Sequence, residues 1–186
     1  MNPSDRVWRE RGLRSAILAG DQRAWQTWYE ESFEGLAAYV RWRCAGLRDL
    51  SDEVVQETWL TAVRRVRSFD PQRGSFAGWL RGIAANILRN HFRGAAWRTR
   101  HMQSLNGSGS AQQLMADPSE ESDMAEKIAK ALSTLPERYE AVLRAKYLDQ
   151  QSVAQIAMTW NETSKSVESL LTRARQAFRE AYSKSE

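Results

Sequence analysis

Apolar and polar positions along the chain recur with helical spacing, and no segment shows the strict alternation of a half-buried strand. Val7–Leu18 has the pattern of a short helix. Gly20-Asp21 breaks it, and the Asp21 carboxylate is placed to cap a second helix by accepting from its first backbone N–H groups. Ala24, Trp25, Trp28 and Tyr29, then Leu36, Tyr39, Val40 and Cys44, form apolar stripes expected in a core. Ser51 reads as the cap of a third helix, with Asp52 and Glu53 favouring its positive end. Val55, Trp59, Ala62 and Val66 share one face of it, while Asp52, Glu53, Gln56 and Glu57 fall off that face and should be exposed. Pro71 and Gly74 mark a tight loop. A fourth helix starts at Ser75, with Phe76, Leu80, Ile83, Ile87 and His91 inward and Asn86, Arg89, Asn90, Arg93 and Trp97 projecting elsewhere.

The pattern then changes. Ser104-Leu105-Asn106-Gly107-Ser108-Gly109-Ser110 has the composition of a flexible linker, and Asp117-Pro118-Ser119-Glu120-Glu121 extends it. Periodicity returns at Asp123–Leu132, with Met124, Ile128 and Leu132 inward. Pro136 suits the first turn of the next helix, whose apolar side is Val142, Leu143, Tyr147 and Leu148. Ser152–Trp160 predicts a short helix containing Val153, Ile156 and Ala157. Asn161 tolerates the left-handed conformation that a tight turn needs there. Thr163 caps a longer helix with Val167, Leu170, Leu171, Ala174 and Phe178 inward. Short helix, tight turn and longer helix make a helix-turn-helix. The expected fold is all-α: two small helical domains, residues 1–100 and 123–186, joined by a flexible linker over 101–122.

Composition narrows the function classes. The chain is 42% hydrophobic, enough for packed cores, and 27% charged. No apolar run reaches the roughly 18 residues of a membrane span, so direct membrane insertion is not expected. The N-terminal residues are polar and lack an apolar signal core. Cys44 is the single cysteine, which rules out an intramolecular disulfide and a cysteine-based metal cluster. A cytoplasmic location is the default expectation. His91 and His101 are the only histidines and form neither a metal-ligand spacing nor a triad, and no pattern pairs the carboxylates. No catalysis, metal or cofactor is therefore expected.

The net charge of +4 conceals an asymmetry. Residues 1–100 hold 17 arginines against 11 acidic residues, residues 101–126 hold five acids and no base, and residues 127–186 hold ten bases against seven acids. All bases of the first block are arginine, whose planar group suits phosphates, bases and aromatic faces. Charge alone does not establish a nucleic-acid partner.

Particular residues carry a resemblance. Asp52-Glu53-Val54-Val55-Gln56-Glu57-Thr58-Trp59 resembles the helix of bacterial sigma factors that binds core RNA polymerase. Phe69-Asp70-Pro71 and Phe76-Ala77-Gly78-Trp79-Leu80-Arg81-Gly82-Ile83-Ala84-Ala85-Asn86 resemble their promoter-melting segment. Leu135-Pro136-Glu137-Arg138-Tyr139, Gln155-Ile156-Ala157 and Val167–Arg175 resemble their C-terminal helix-turn-helix. The two-domain length fits the extracytoplasmic-function class, which has regions two and four only. The resemblance covers roughly residues 14–182.

The resemblance implies a partner for each surface. The face of Asp52, Glu53, Gln56 and Glu57 repels phosphate, and by resemblance it meets core RNA polymerase. The loop Phe69–Ser75 and the helix behind it are implied to face the minus-ten element of promoter DNA. Unstacking costs about 1.4 kcal/mol per base-pair step, and stacking a freed base on an aromatic returns about 1–3 kcal/mol. One captured base is thus balanced, but a whole bubble is not, and the polymerase must supply the rest. Phe76 and Trp79 have the chemistry to stack or wall a base, and each is also spaced like a core residue. Asn86 and Asn90 present donor and acceptor to a base edge. Arg89, Arg93, Arg98 and Arg100 suit phosphates. Relatives often carry an acid at the position of Asn90. On the last helix Ser164, Lys165, Ser166, Glu168, Ser169, Thr172 and Arg173 face outward, by resemblance toward the minus-thirty-five element. Glu168 stands where many relatives have Lys; it either accepts from a cytosine amino group or forms a surface ion pair. Arg173 and Arg175 are phosphate contacts or surface charges. The class also implies an anti-sigma factor as partner. A free-standing helix-turn-helix regulator is the competing function, but it has no need of the acidic motif before Trp59.

Overall fold

The computed structural model describes residues 3–105 and 120–184, with side chains over 4–94 and 120–184. Among these residues there are eight α-helices, one 3-10 turn and no strand, as the periodicity predicts. The chain divides into two compact units, residues 1–41 with 48–93, and residues 42–47 with 94–186.

Along the chain, α1 (Pro3–Leu18) and α2 (Gln22–Arg43) come first, the last two residues of α2 and the turn after it being counted with the second unit. Asp21 caps α2 as expected, its Oδ1 accepting from the Arg23 N–H at 2.8 Å. Trp28, Leu36, Tyr39, Val40 and Cys44 are buried. Tyr29, expected in the core, is 45% exposed. It neighbours Trp28 in sequence but lies about 100° round the helix from it. Ala45 and Gly46 take positive φ values of 51° and 88°, which stop α2 and allow α3 (Arg48–Arg65) to start before Ser51. Ser51 is therefore not the cap: it is a buried position inside α3, and Asp49 is the acid of the first turn. The buried line of α3 is Ser51, Val54, Thr58 and Ala62, with Val55 and Trp59 half-buried beside it.

A 3-10 turn, Val66–Ser68, leads into a loop whose first residue, Phe69, is buried. Asp70 Oδ1 accepts from the Gln72 N–H at 3.0 Å, and the Arg73 N–H donates to the Asp70 carbonyl at 3.0 Å. This is the Asp-then-Pro chemistry of a tight turn. α4 (Phe76–Leu105) follows, capped by Ser75, whose Oγ accepts from the Gly78 N–H at 3.1 Å. Phe76 is 2% exposed and stacks on Trp28, with ring centroids 3.8 Å apart and planes 8° apart. Phe69 meets both rings edge-on, at 5.6 Å from Trp28 and 5.5 Å from Phe76. Each such pair adds about 0.5–1.5 kcal/mol beyond its area burial. Phe76, Leu80 and Ile83 are buried as expected, but Ile87 is only half-buried and His91 is exposed. Leu88 and Phe92 take those places in the core. The buried line follows the four-residue row Leu80, Ala84, Leu88, Phe92, which drifts round the helix. The sequence offered an apolar residue at both Ile87 and Leu88. α4 runs through Leu105 and so includes the first residues of the expected linker. The remaining linker residues 106–119, and the side chains of Trp97, Arg98 and Arg100, lie outside the described residues.

The second unit contains α5 (Glu120–Thr134), α6 (Glu137–Tyr147), α7 (Val153–Trp160) and α8 (Ser164–Ser183). α5 starts three residues before its expected start, and Met124 on it is exposed rather than inward; Ala129, Ala131 and Leu132 form its buried side. Pro136 stands just before α6, its carbonyl accepting from the N–H groups of Tyr139 and Glu140. Tyr147 is exposed as well, and its hydroxyl accepts from Arg175 Nε at 2.9 Å, a polar tip that draws the ring out of the core. Val142, Leu143, Ile156, Ala157, Val167, Leu170, Leu171 and Ala174 form one apolar cluster.

Candidate nucleic-acid and partner interfaces

The α3 surface is built by the helix period. Asp52, Glu53, Gln56 and Glu57 are all exposed and lie on the side of α3 opposite its buried line. The same side carries two large apolar residues: Leu60 is 49% and Val63 54% exposed. With Tyr29, Phe33, Asp52, Val55, Gln56 and Trp59 they line a groove of about 430 Å³. Tyr29 is held there by Trp59 and Phe33, with ring centroids 4.9 and 5.1 Å away. Leu60, Val63 and Tyr29 were absent from the sequence-derived surface. Their signal was available, since Leu60 and Val63 are apolar yet off the buried stripe.

Trp79, Asn86, Arg89, Asn90 and Arg93 fall within an arc of about 100° on α4. Trp79 is half-buried, its ring 5.4 Å from Phe69 and 5.7 Å from Phe76, so it joins the aromatic cluster and stays partly accessible. Asn86, Asn90 and Arg93 are exposed. Arg89 Nη1 donates to Asn86 Oδ1 at 2.6 Å, which engages one lone pair of that oxygen and links the two side chains. Asn90 has a different setting. It lines a small cleft of about 160 Å³ with Leu50, Glu53, Val54, Glu57, Ile87 and His91. Two of the acids on α3 thus share a cleft with one of the polar residues of α4.

In the second unit the helix-turn-helix is fixed by side-chain chemistry at its corners. Ser152 Oγ accepts from the Gln155 N–H at 3.2 Å while Gln155 Oε1 accepts from the Ser152 N–H at 2.7 Å, a complete capping box. Asn161 is left-handed, with φ 53° and ψ 46°, as its residue type predicts. Thr163 Oγ1 accepts from the Ser166 N–H at 3.2 Å and caps α8. Glu162 accepts from the Ser166 hydroxyl at 2.7 Å and pairs with Arg138. The Ser166 hydroxyl thus donates within the turn, and Ser164, Lys165, Ser166, Glu168, Ser169, Thr172 and Arg173 are all exposed on α8. Arg175 packs over the Tyr147 ring, 5.8 Å from its centroid. Among the described residues no group of three His, Cys, Asp or Glu side chains could hold a metal ion.

Residues 29–98 match the family model for sigma-70 region 2, and residues 125–178 match that for sigma-70 region 4. The ECF RNA polymerase sigma factor BldN of Streptomyces coelicolor is 30% identical over 80 residues. That alignment covers 43% of this chain and 30% of BldN, so it spans less than a third of the relative's length. Two solved structures are similar. One is the sigma factor RpoE in complex with the anti-sigma factor NepR from Bartonella quintana, at 20% identity and a TM-score of 0.45, covering 84% of this chain and 95% of that one. The other is CnrH in complex with the cytosolic domain of CnrY, at 25% identity and a TM-score of 0.47, covering 91% of this chain and 94% of that one. With region 2 and region 4 matched in that order, the chain belongs to the sigma-70 family, in its extracytoplasmic-function class.

Proposed function

We propose that this chain is a promoter-specificity subunit of RNA polymerase, with no catalysis of its own, acting in the cytoplasm. The observation that carries this reading is the α3 surface, where Asp52 and Gln56 line an apolar groove and Glu53 and Glu57 stand exposed on the same side of the helix. Such a face disfavours DNA and suits a protein partner with apolar and basic groups. Residues 1–100 serve as region two, 101–122 as linker and 123–186 as region four. Asp52, Glu53, Gln56 and Glu57 hold core polymerase. Trp79, Asn86, Arg89, Asn90 and Arg93 meet the minus-ten element, and Ser164, Lys165, Ser166, Glu168, Ser169 and Arg173 meet the minus-thirty-five element. An anti-sigma factor is the expected regulator, covering the same surfaces. Direct membrane insertion has no support: among the described residues no helix is long and apolar enough to cross a membrane.

Transcription with purified core polymerase on genomic fragments tests the proposal. Specific transcripts should require both core and this protein. No specific transcript with core, together with duplex protection by the protein alone, would make it a free-standing regulator instead.

A further inference from the structure

We infer that α1 is a positioning element for the promoter-facing loop, acting through Glu10 and Arg14, which hold the two ends of that loop. The inference rests on the reading of Phe69–Ser75 as the loop that faces the minus-ten element. Glu10 and Arg14 are four residues apart and so share one face of α1. Glu10 is 7% exposed, and its Oε1 accepts from the Phe76 N–H at 2.9 Å. That N–H belongs to the first turn of α4, where backbone donors have no acceptor within the helix. A carboxylate there also meets the positive end of the helix dipole. Its second oxygen, Oε2, accepts from Arg6 Nη1 at 2.8 Å, so the buried charge is paired. One turn along, Arg14 Nη2 donates to the Arg67 carbonyl at 2.7 Å, at the other end of the loop.

The span between these two attachments is short and internally braced. Phe69 and Pro71 are buried, and the Asp70 turn fixes the chain between them. Only Asp70, Gln72 and Arg73 expose their side chains at the tip. α1 is itself tied to α2 by the Arg9–Glu31 ion pair, and Ile17 near its C-terminal end is buried. A rigid tip on two fixed ends moves as a unit, so its register against DNA is set by where Glu10 and Arg14 hold it. None of α1 lies within the region 2 match, which begins at residue 29. Loop position is therefore adjusted in this chain by residues outside the matched segment.

The test uses holoenzyme carrying Glu10→Ala with Arg14→Ala. The readout is the ratio of initiation from a promoter with its own minus-ten sequence to initiation from single-base variants of it, with core affinity measured separately. The ratio should fall about tenfold at the positions nearest the loop, the fold-change of one lost base-edge contact, while core affinity is unchanged. Arg14→Ala alone should shift the same positions by less, and serves if the double variant does not fold. Glu10→Gln with Arg14→Lys keeps one acceptor and one donor and should restore the ratio. A variant that initiates less often with an unchanged ratio has only lost folded protein, and that result overturns the inference. If wild-type holoenzyme starts no specific transcript, the reading of the loop fails first and the inference with it.

Discussion

Phe76 separates packing from base capture most sharply. Its residue type and place permit either role, but the ring is 2% exposed, stacked on Trp28 at 3.8 Å and edged by Phe69 at 5.5 Å. Truncation to alanine removes a buried ring and leaves a cavity, a loss of about 3–5 kcal/mol. A domain with about 5–15 kcal/mol in hand then has little left. Phe76→Leu keeps most of the volume and forfeits the aromatic pairs, so it should cost about 1–2 kcal/mol. For a domain of this size that is a fall in melting temperature of roughly 4–16 °C. Urea unfolding followed by tryptophan fluorescence measures both variants, and promoter opening by holoenzyme is measured at a temperature where each remains folded. A packing role predicts that the leucine variant opens promoters normally once folded. Stability within about 0.5 kcal/mol of wild type, coupled to lost promoter opening, would show that the ring works on DNA and that the packing argument is wrong.

Other expectations follow from the same geometry. Ser152→Ala removes half of the capping box on α7 and should cost about 1 kcal/mol, read from denaturation of the full chain; no change would mean the box contributes nothing net. Gln56→Ala with Glu57→Ala should weaken binding to core polymerase and leave duplex binding by α8 intact, and Leu60→Ala should weaken core binding with little loss of stability because Leu60 is half exposed. Unchanged core affinity in both would remove α3 as the partner face. Arg93→Ala should lower the salt slope of promoter binding by about 1, as expected for one phosphate contact; an unchanged slope would leave Arg93 a solvated charge.

The helices and their order were legible in the sequence because their caps and turns are local chemistry. Asp21 and Thr163 cap with their side-chain oxygens, and Asn161 takes the left-handed conformation its residue type tolerates. The errors have a common cause, which is that burial depends on neighbours the sequence does not place. Ser51 looked like a cap because an acidic run follows it, yet the positive φ values at Ala45 and Gly46 started α3 earlier. Ile87 and Leu88 are equally apolar, and only the path of α4 over the core selects Leu88. Tyr29 and Tyr147 read as core by spacing and instead show polar tips or groove faces. The acidic side chains of α3 were visible as a surface, but the groove beside them was not, because it needs Tyr29 and Phe33 brought from α2. The two ties from α1 join positions 66 and 53 residues apart and have no local signature.

In the proposed function, this protein selects the site and core polymerase completes the opening. Permanganate reactivity of unpaired thymines tests this most directly, on a fragment chosen by the transcription assay, with protein alone, core alone and both. Reactive thymines are expected only when both are present, clustered near the minus-ten element. Reactivity with protein alone, or duplex protection by it that core leaves unchanged, would contradict it.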